Sequence, residues 1–184
     1  ADNDPVEQWL FNALCLNAAV QPVSELGPVE LKKVSITCLD RQALINDPER
    51  LNQLFGLLVL AHYQTSPNDL RLMLDDPAVS IWVTLYGDVV LATALLVREG
   101  GLDDTMSEAI WLGKRRPAGH MLPQILSAQL GFKEATGFCY WRVMRVAVHP
   151  DFQGQGLGSK LIRAIGQQAI VDNIDMLGSS FAAT

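Results

Sequence analysis

Cysteine is scarce: Cys15, Cys38 and Cys139 are odd in number, far apart and set among apolar neighbours. Such a set supplies neither a disulfide framework nor the paired spacing of a zinc site, and it predicts buried thiols in a reducing compartment with no metal. Long apolar runs are absent as well. No stretch approaches the ~20 residues that a membrane-spanning helix needs, and no basic segment with a cleavage site opens the sequence. The expectation is a soluble, cytoplasmic protein with no membrane partner. Basic residues are outnumbered, 14 Lys and Arg against 20 Asp and Glu, for a formal charge of −6. Nucleic-acid binding rests on neutralising phosphates, so the surface as a whole is no platform for it. One dense basic run, Lys114-Arg115-Arg116, stands out, and it reads either as a solvated loop or as a local contact.

What is present is apolar: 49% of 184 residues, enough for one substantial core. Residues 1–30 read as an N-terminal helix, begun by Asp4-Pro5, and a linker carrying Pro22, Gly27 and Pro28. The main domain covers 31–184. Alternation predicts a strand over Lys33–Leu39, and the cap-then-proline pair Asp47-Pro48 opens a helix to Tyr63. A second start at Ser66 runs to Asp75. Val79–Leu85 and Val89–Arg98 flank Tyr86-Gly87-Asp88 as a hairpin. Residues 100–141 are irregular, with helical turns at Met106–Leu112 and a helix at Leu122–Phe132. A further strand begins near Ile174. The order is α+β, helices flanking a mixed sheet.

The stretch that organises the chain runs from Trp141 to Val171. Val143, Val146, Ala147 and Val148 form a β-branched run closed by Pro150, a largely buried strand. A glycine-rich turn follows at Gln153–Ser159, and from Leu157 the apolar residues recur at helical spacing. The first turn of such a helix presents unpaired N–H groups at the positive end of its dipole, where phosphate binds. Gly154, Gly156 and Gly158 carry no Cβ, so an anion can approach the main chain. A P-loop would need four residues between its first glycine and a Gly-Lys-Ser/Thr, whereas here Lys160 follows Ser159 and no glycine sits at that offset. The dinucleotide fingerprint G-x-G-x-x-G is not met by the spacing G-x-G-x-G either. Gln153, Gly156 and Gly158 do match the Gln/Arg-x-x-Gly-x-Gly/Ala pyrophosphate loop, and resemble that of the GNAT superfamily of N-acetyltransferases.

Three segments narrow the resemblance: HYQTSPNDL from His62 to Leu70, Gly113–Pro117 (GKRRP) with Leu122-Pro123, and Arg145–Pro150 (RVAVHP) before the glycine loop. Together they resemble the acetyltransferase domain of the tRNA(Met) cytidine acetyltransferases over about residues 50–184. The resemblance implies a GNAT-type fold, with the last helix and strand beyond the sequence. It also implies acetyl-CoA as cofactor, and N4-acetylation of the wobble cytidine of elongator tRNA(Met). In that family a helicase-like ATP-binding module precedes the domain and an RNA-binding tail follows it. A general protein or small-molecule amine N-acetyltransferase, or a non-catalytic CoA-binding module, are the alternatives.

Roles follow from the resemblance. Val146, Ala147 and Val148 would offer main-chain groups to the pantetheine arm and acetyl oxygen. Gln153, Gly154, Gln155, Gly156, Leu157, Gly158 and Ser159 would hold the pyrophosphate, with Lys160 and Arg163 at the rim or simply solvated. Cytidine's exocyclic amine is neutral but a poor nucleophile, so the chemistry needs a group to accept its proton and another to protonate the thiolate. His62, beside Tyr63 in the narrow motif, is the first candidate acceptor, its reference pKa near ~6.5. His120 and Glu108 are weaker ones, and His149 is expected to fix the strand exit. Lys114, Arg115 and Arg116 would contact RNA phosphates.

Overall fold

A computed structural model describes residues 30, 32–61 and 67–180. The expected N-terminal helix, most of its linker, and His62 and Tyr63 lie outside the described residues. Five strands form one sheet in the order β1-β2-β3-β4-β5: β1 (Ser35–Cys38), β2 (Val79–Tyr86), β3 (Val89–Gly100), β4 (Cys139–Val148) and β5 (Met176–Ser179). The sheet is mixed, since β1 runs antiparallel to β2, from Ser35 opposite Leu85 to Cys38 opposite Trp82, and β4 runs parallel to β5. The described residues divide into two compact units that share these strands, those up to 95 with 145–162, and 96–144 with those from 163 onward.

In the first unit, α1 (Arg41–Ile45) and α2 (Pro48–Ala61) follow β1, and α3 (Pro67–Asp75) leads into β2. Asp40 caps α1 by accepting from the Ala43 N–H at 2.8 Å, a five-residue helix too short for periodicity to announce. Asp47 caps α2 in the same way, through the Arg50 N–H at 3.0 Å. The buried side of α2 (Leu54, Phe55, Leu57, Leu58) and the buried Leu70 and Met73 of α3 supply much of the core. A two-residue turn at Gly87-Asp88 joins β2 to β3, with Gly87 at φ 60°, one residue shorter than the expected connection. β3 is buried without break from Val90 to Leu96, the mark of a strand covered on both faces.

The second unit holds α4 (Asp104–Trp111), capped by Asp103, and α5 (Met121–Gln124), which widens into a π-helical turn over Ile125–Gln129. A 3₁₀ segment, Lys133–Gly137, then enters β4. The expected regular helix over 122–132 is therefore a short α-helix and a widened turn. Tyr140 is 1% exposed and donates to the Ala135 carbonyl at 2.7 Å. α6 (Leu157–Val171) is shared between the units, with Leu161 and Ile165 wholly buried. The expectation of buried thiols fails: Cys38 is exposed and Cys139 partly so. Cys38 sits on β1, the outer strand of the sheet, where apolar sequence neighbours do not make a cover.

Candidate active site

The exit from β4 is held tightly. His149 is 4% exposed; its N–H donates to the Leu91 carbonyl at 2.8 Å, and its Nδ1 accepts from the Asp151 N–H at 3.3 Å. Its ring lies 5.5 Å from that of Phe152. Phe152 and Leu157 are both buried and pack with Leu91 and Val148. These two anchors hold the ends of the loop 153–156, which is exposed throughout.

Gly154 and Gly156 have φ of 74° and 81°, a region that costs other residues strain and glycine none. Gly158 serves differently. A Cβ on it would lie 3.2 Å from Val148 Cγ2, so α6 comes this near β4 because residue 158 has no side chain. Gln153 and Gln155 turn back, their amides donating to the Val148 and Asp151 carbonyls at 3.2 Å each. The Lys160 N–H bonds to the Gly156 carbonyl at 2.9 Å. The amides of Leu157, Gly158 and Ser159 precede that bond and have no partner within the helix. Leu157 is 1% exposed and packs into the core, anchoring the start of the helix. An exposed glycine loop on rigid anchors, opening onto a helix N-terminus, fits a diphosphate.

β4 pairs with β5 from Tyr140 to Val143 and continues to Val148. Along that continuation Val146 is 39% exposed and Ala147 3%. Arg145 Nη2 lies 3.1 Å from Asp69 Oδ1. That ion pair joins α3 to β4, two segments that carried the resemblance, and neither residue announced the pairing locally.

The basic run leaves α4 through Gly113 at φ 69°. The N–H groups of Lys114 and Arg115 both donate to the Ala109 carbonyl, at 2.8 and 3.1 Å, and all three basic side chains are exposed. His120, at φ 51°, accepts the Gly100 N–H on Nδ1 at 2.9 Å. That bond occupies Nδ1 and fixes the ring against the end of β3. Glu108 is exposed on α4. Sequence reasoning missed Glu99, a carboxylate 2% exposed on β3. It accepts from Arg142 Nε at 2.6 Å and from the Leu122 N–H at 2.9 Å. No cluster of His, Cys, Asp or Glu able to hold a metal occurs among the described residues, and no described helix is long and apolar enough to cross a membrane.

Solved structures define the class by fold. A GNAT family acetyltransferase of Staphylococcus aureus matches with a TM-score of 0.52 at 13% identity, covering 82% of this chain and 88% of that one. A ribosomal-protein-alanine N-acetyltransferase of Brucella melitensis gives 0.51 at 12% identity, covering 82% of each chain. The fold is therefore that of the GNAT acetyltransferases. The chain belongs to the family GNAT acetyltransferase 2, which matches residues 53–183. The resemblance to the cytidine acetyltransferases is borne out as well. The tRNA(Met) cytidine acetyltransferase TmcA of Nitrosococcus halophilus is 48% identical over 181 residues, 98% of this chain and 24% of that protein. TmcA of Vibrio cholerae is 45% identical over 166 residues, 88% of this chain and 23% of its own length. TmcA of Haloferax volcanii is 40% identical over 185 residues, 100% of this chain and 24% of its own length. The chain thus spans about a quarter of the length of the curated relatives it matches.

Proposed function

We propose that this chain binds acetyl-CoA and acetylates N4 of a cytidine in RNA, the wobble cytidine of elongator tRNA(Met), in the cytoplasm. The observation that carries the reading is the exposed glycine loop before α6, with Gly154 and Gly156 at positive φ and the helix amides behind them, in a chain 48% identical to a tRNA(Met) cytidine acetyltransferase. Gln153–Ser159 would grip the diphosphate through backbone amides, and Val146–Val148 would align the pantetheine arm. Bound acetyl-CoA supplies the acetyl group as a thioester. His62, beside Tyr63, would take the proton that the amine gives up as it attacks. Lys114, Arg115 and Arg116 would hold RNA phosphates. We extend the proposal to residues 31–184 as the acetyltransferase domain after an N-terminal segment, 1–30, and to a helicase-like module and an RNA-binding tail as its partners within a longer protein.

The test is calorimetry with acetyl-CoA and mass spectrometry of tRNA(Met) after incubation with the full-length protein. The wild type should release heat with acetyl-CoA and add one acetyl group to the wobble cytidine. Gly156→Val should weaken the cofactor at least about tenfold, because a β-branched residue cannot hold that φ and its bulk blocks the amides. His62→Ala should slow transfer by about 10²–10⁴-fold. No heat with the wild type would overturn the assignment, and full acetylation by His62→Ala would remove that residue from the mechanism.

A further inference from the structure

A cavity of about 580 Å³ lies in the second unit, walled by the basic loop on one side and by α5 and its π-helical turn on the other. Arg115 and Arg116 line it with the apolar side chains of Ile110, Met121 and Ile125, and Gln124 is among its walls. Gln124 is 9% exposed. Its Nε2 donates to the carbonyls of Pro117 and Gly119, at 3.0 and 2.6 Å. Two carbonyls beside one amide nitrogen settle which way the carboxamide faces, since the flipped form would set oxygen against oxygen. The Oε1 is thereby fixed, buried and without a hydrogen-bond partner. A buried acceptor left unpaired is destabilising, and a ligand donor would relieve it. Backbone irregularity gathers around it: His120 is left-handed at φ 51°, and the helix widens at Ile125–Gln129. Such features concentrate where ligands bind.

We propose that this cavity is a cytosine subsite for single-stranded RNA. The base enters among Ile110, Met121 and Ile125, its exocyclic amine donates to Gln124 Oε1, and the neighbouring phosphates meet Arg115 and Arg116. The chemistry suits a base in a loop rather than a duplex, because unpaired bases expose both their faces and their Watson–Crick edge. Cytosine is favoured over uracil, because uracil carries a carbonyl where cytosine carries the amine, and Gln124 has no donor left to meet it. Oε1 is sealed from solvent, so a lining side chain must shift for the base to reach it, and Met121, unbranched and 42% exposed, is a lining residue able to move. The choice of cytosine rests on the proposed function; the cavity, its fixed acceptor and its arginines do not.

The experiment titrates the full-length protein, without acetyl-CoA, with cytidine 5′-monophosphate, uridine 5′-monophosphate and ribose 5-phosphate. The cytidine nucleotide should bind at least about tenfold more tightly than either of the others. Gln124→Met should erase the preference over uridine. Ala128→Trp places a large ring in the cavity from an exposed lining position, and should weaken the cytidine nucleotide at least tenfold. Heat with acetyl-CoA, read separately, confirms that each variant is folded. Equal binding of ribose 5-phosphate, or undiminished nucleotide binding by Ala128→Trp, would overturn the subsite even if the protein acetylates tRNA. Conversely, a wild type that fails to acetylate yet shows the cytidine preference would overturn the proposed function and leave the subsite standing.

Discussion

Gly158 shows how one missing atom sets a site. Its helix lies so near Val148 that a single added carbon would sit 3.2 Å from Cγ2. Gly158→Val adds two further carbons to that contact, and overpacking of this kind costs about 1–3 kcal/mol. Urea denaturation should show that loss, together with weaker acetyl-CoA binding as the helix mouth is pushed from the strand. Tyr140 offers a second test. Burial, with the charge of Asp175 adding to it, raises its pKa above the ordinary 10.0. The folded state then holds the proton more firmly than the unfolded chain, so the stability this group contributes is complete below the unfolded value and is lost as pH rises through the folded one. Melting temperature should fall above about pH 10, where the unfolded phenol begins to ionise. Tyr140→Phe should flatten that fall while costing about 1 kcal/mol at neutral pH for the lost bond to Ala135.

Elements differ in how far the sequence announces them. The strand, glycine loop and helix from Trp141 to Val171 were legible because their determinants are consecutive: a β-branched run, glycines where φ is positive, and apolar residues at helical spacing. α1 was not, since five residues hold too little periodicity and its anchor is remote, the Arg41 guanidinium donating to the Asp76 carbonyl at 2.7 Å. The same holds for Gln124, whose role arises from carbonyls five and seven residues away. Glu99 ties three elements, β3, β4 and α5, through Arg142 and the Leu122 N–H. Removing one partner of a buried ion pair leaves the other charged and unmatched, at about 3–5 kcal/mol. Glu99→Gln should therefore lower stability by several kcal/mol in chemical denaturation and loosen the start of α5. Hydrogen exchange at Leu122, whose amide bonds to the carboxylate, should quicken more than global unfolding alone explains.

At the scale of the whole molecule, the acidic balance and the proposed RNA substrate pull in opposite directions. A formal charge of −6 repels a polyanion at long range, so attraction has to be local. On the proposed reading the three exposed cations at 114–116 would supply it, on a loop pinned at its start by two bonds to the Ala109 carbonyl. Pinning matters because a contact made by an ordered loop spends less entropy on binding. Each phosphate neutralised on a single strand releases counterions worth about 0.7 in the slope of log affinity against log salt. A Lys114/Arg115/Arg116 triple alanine in the full-length protein should then bind RNA more weakly across all sequences, and its salt slope should be shallower by about 2. Acetyl-CoA affinity should not change, since the proposed diphosphate site is built from backbone amides near 157–159. An unaltered RNA affinity and slope would mean that these residues are solvated, and that the grip on RNA lies elsewhere in the protein.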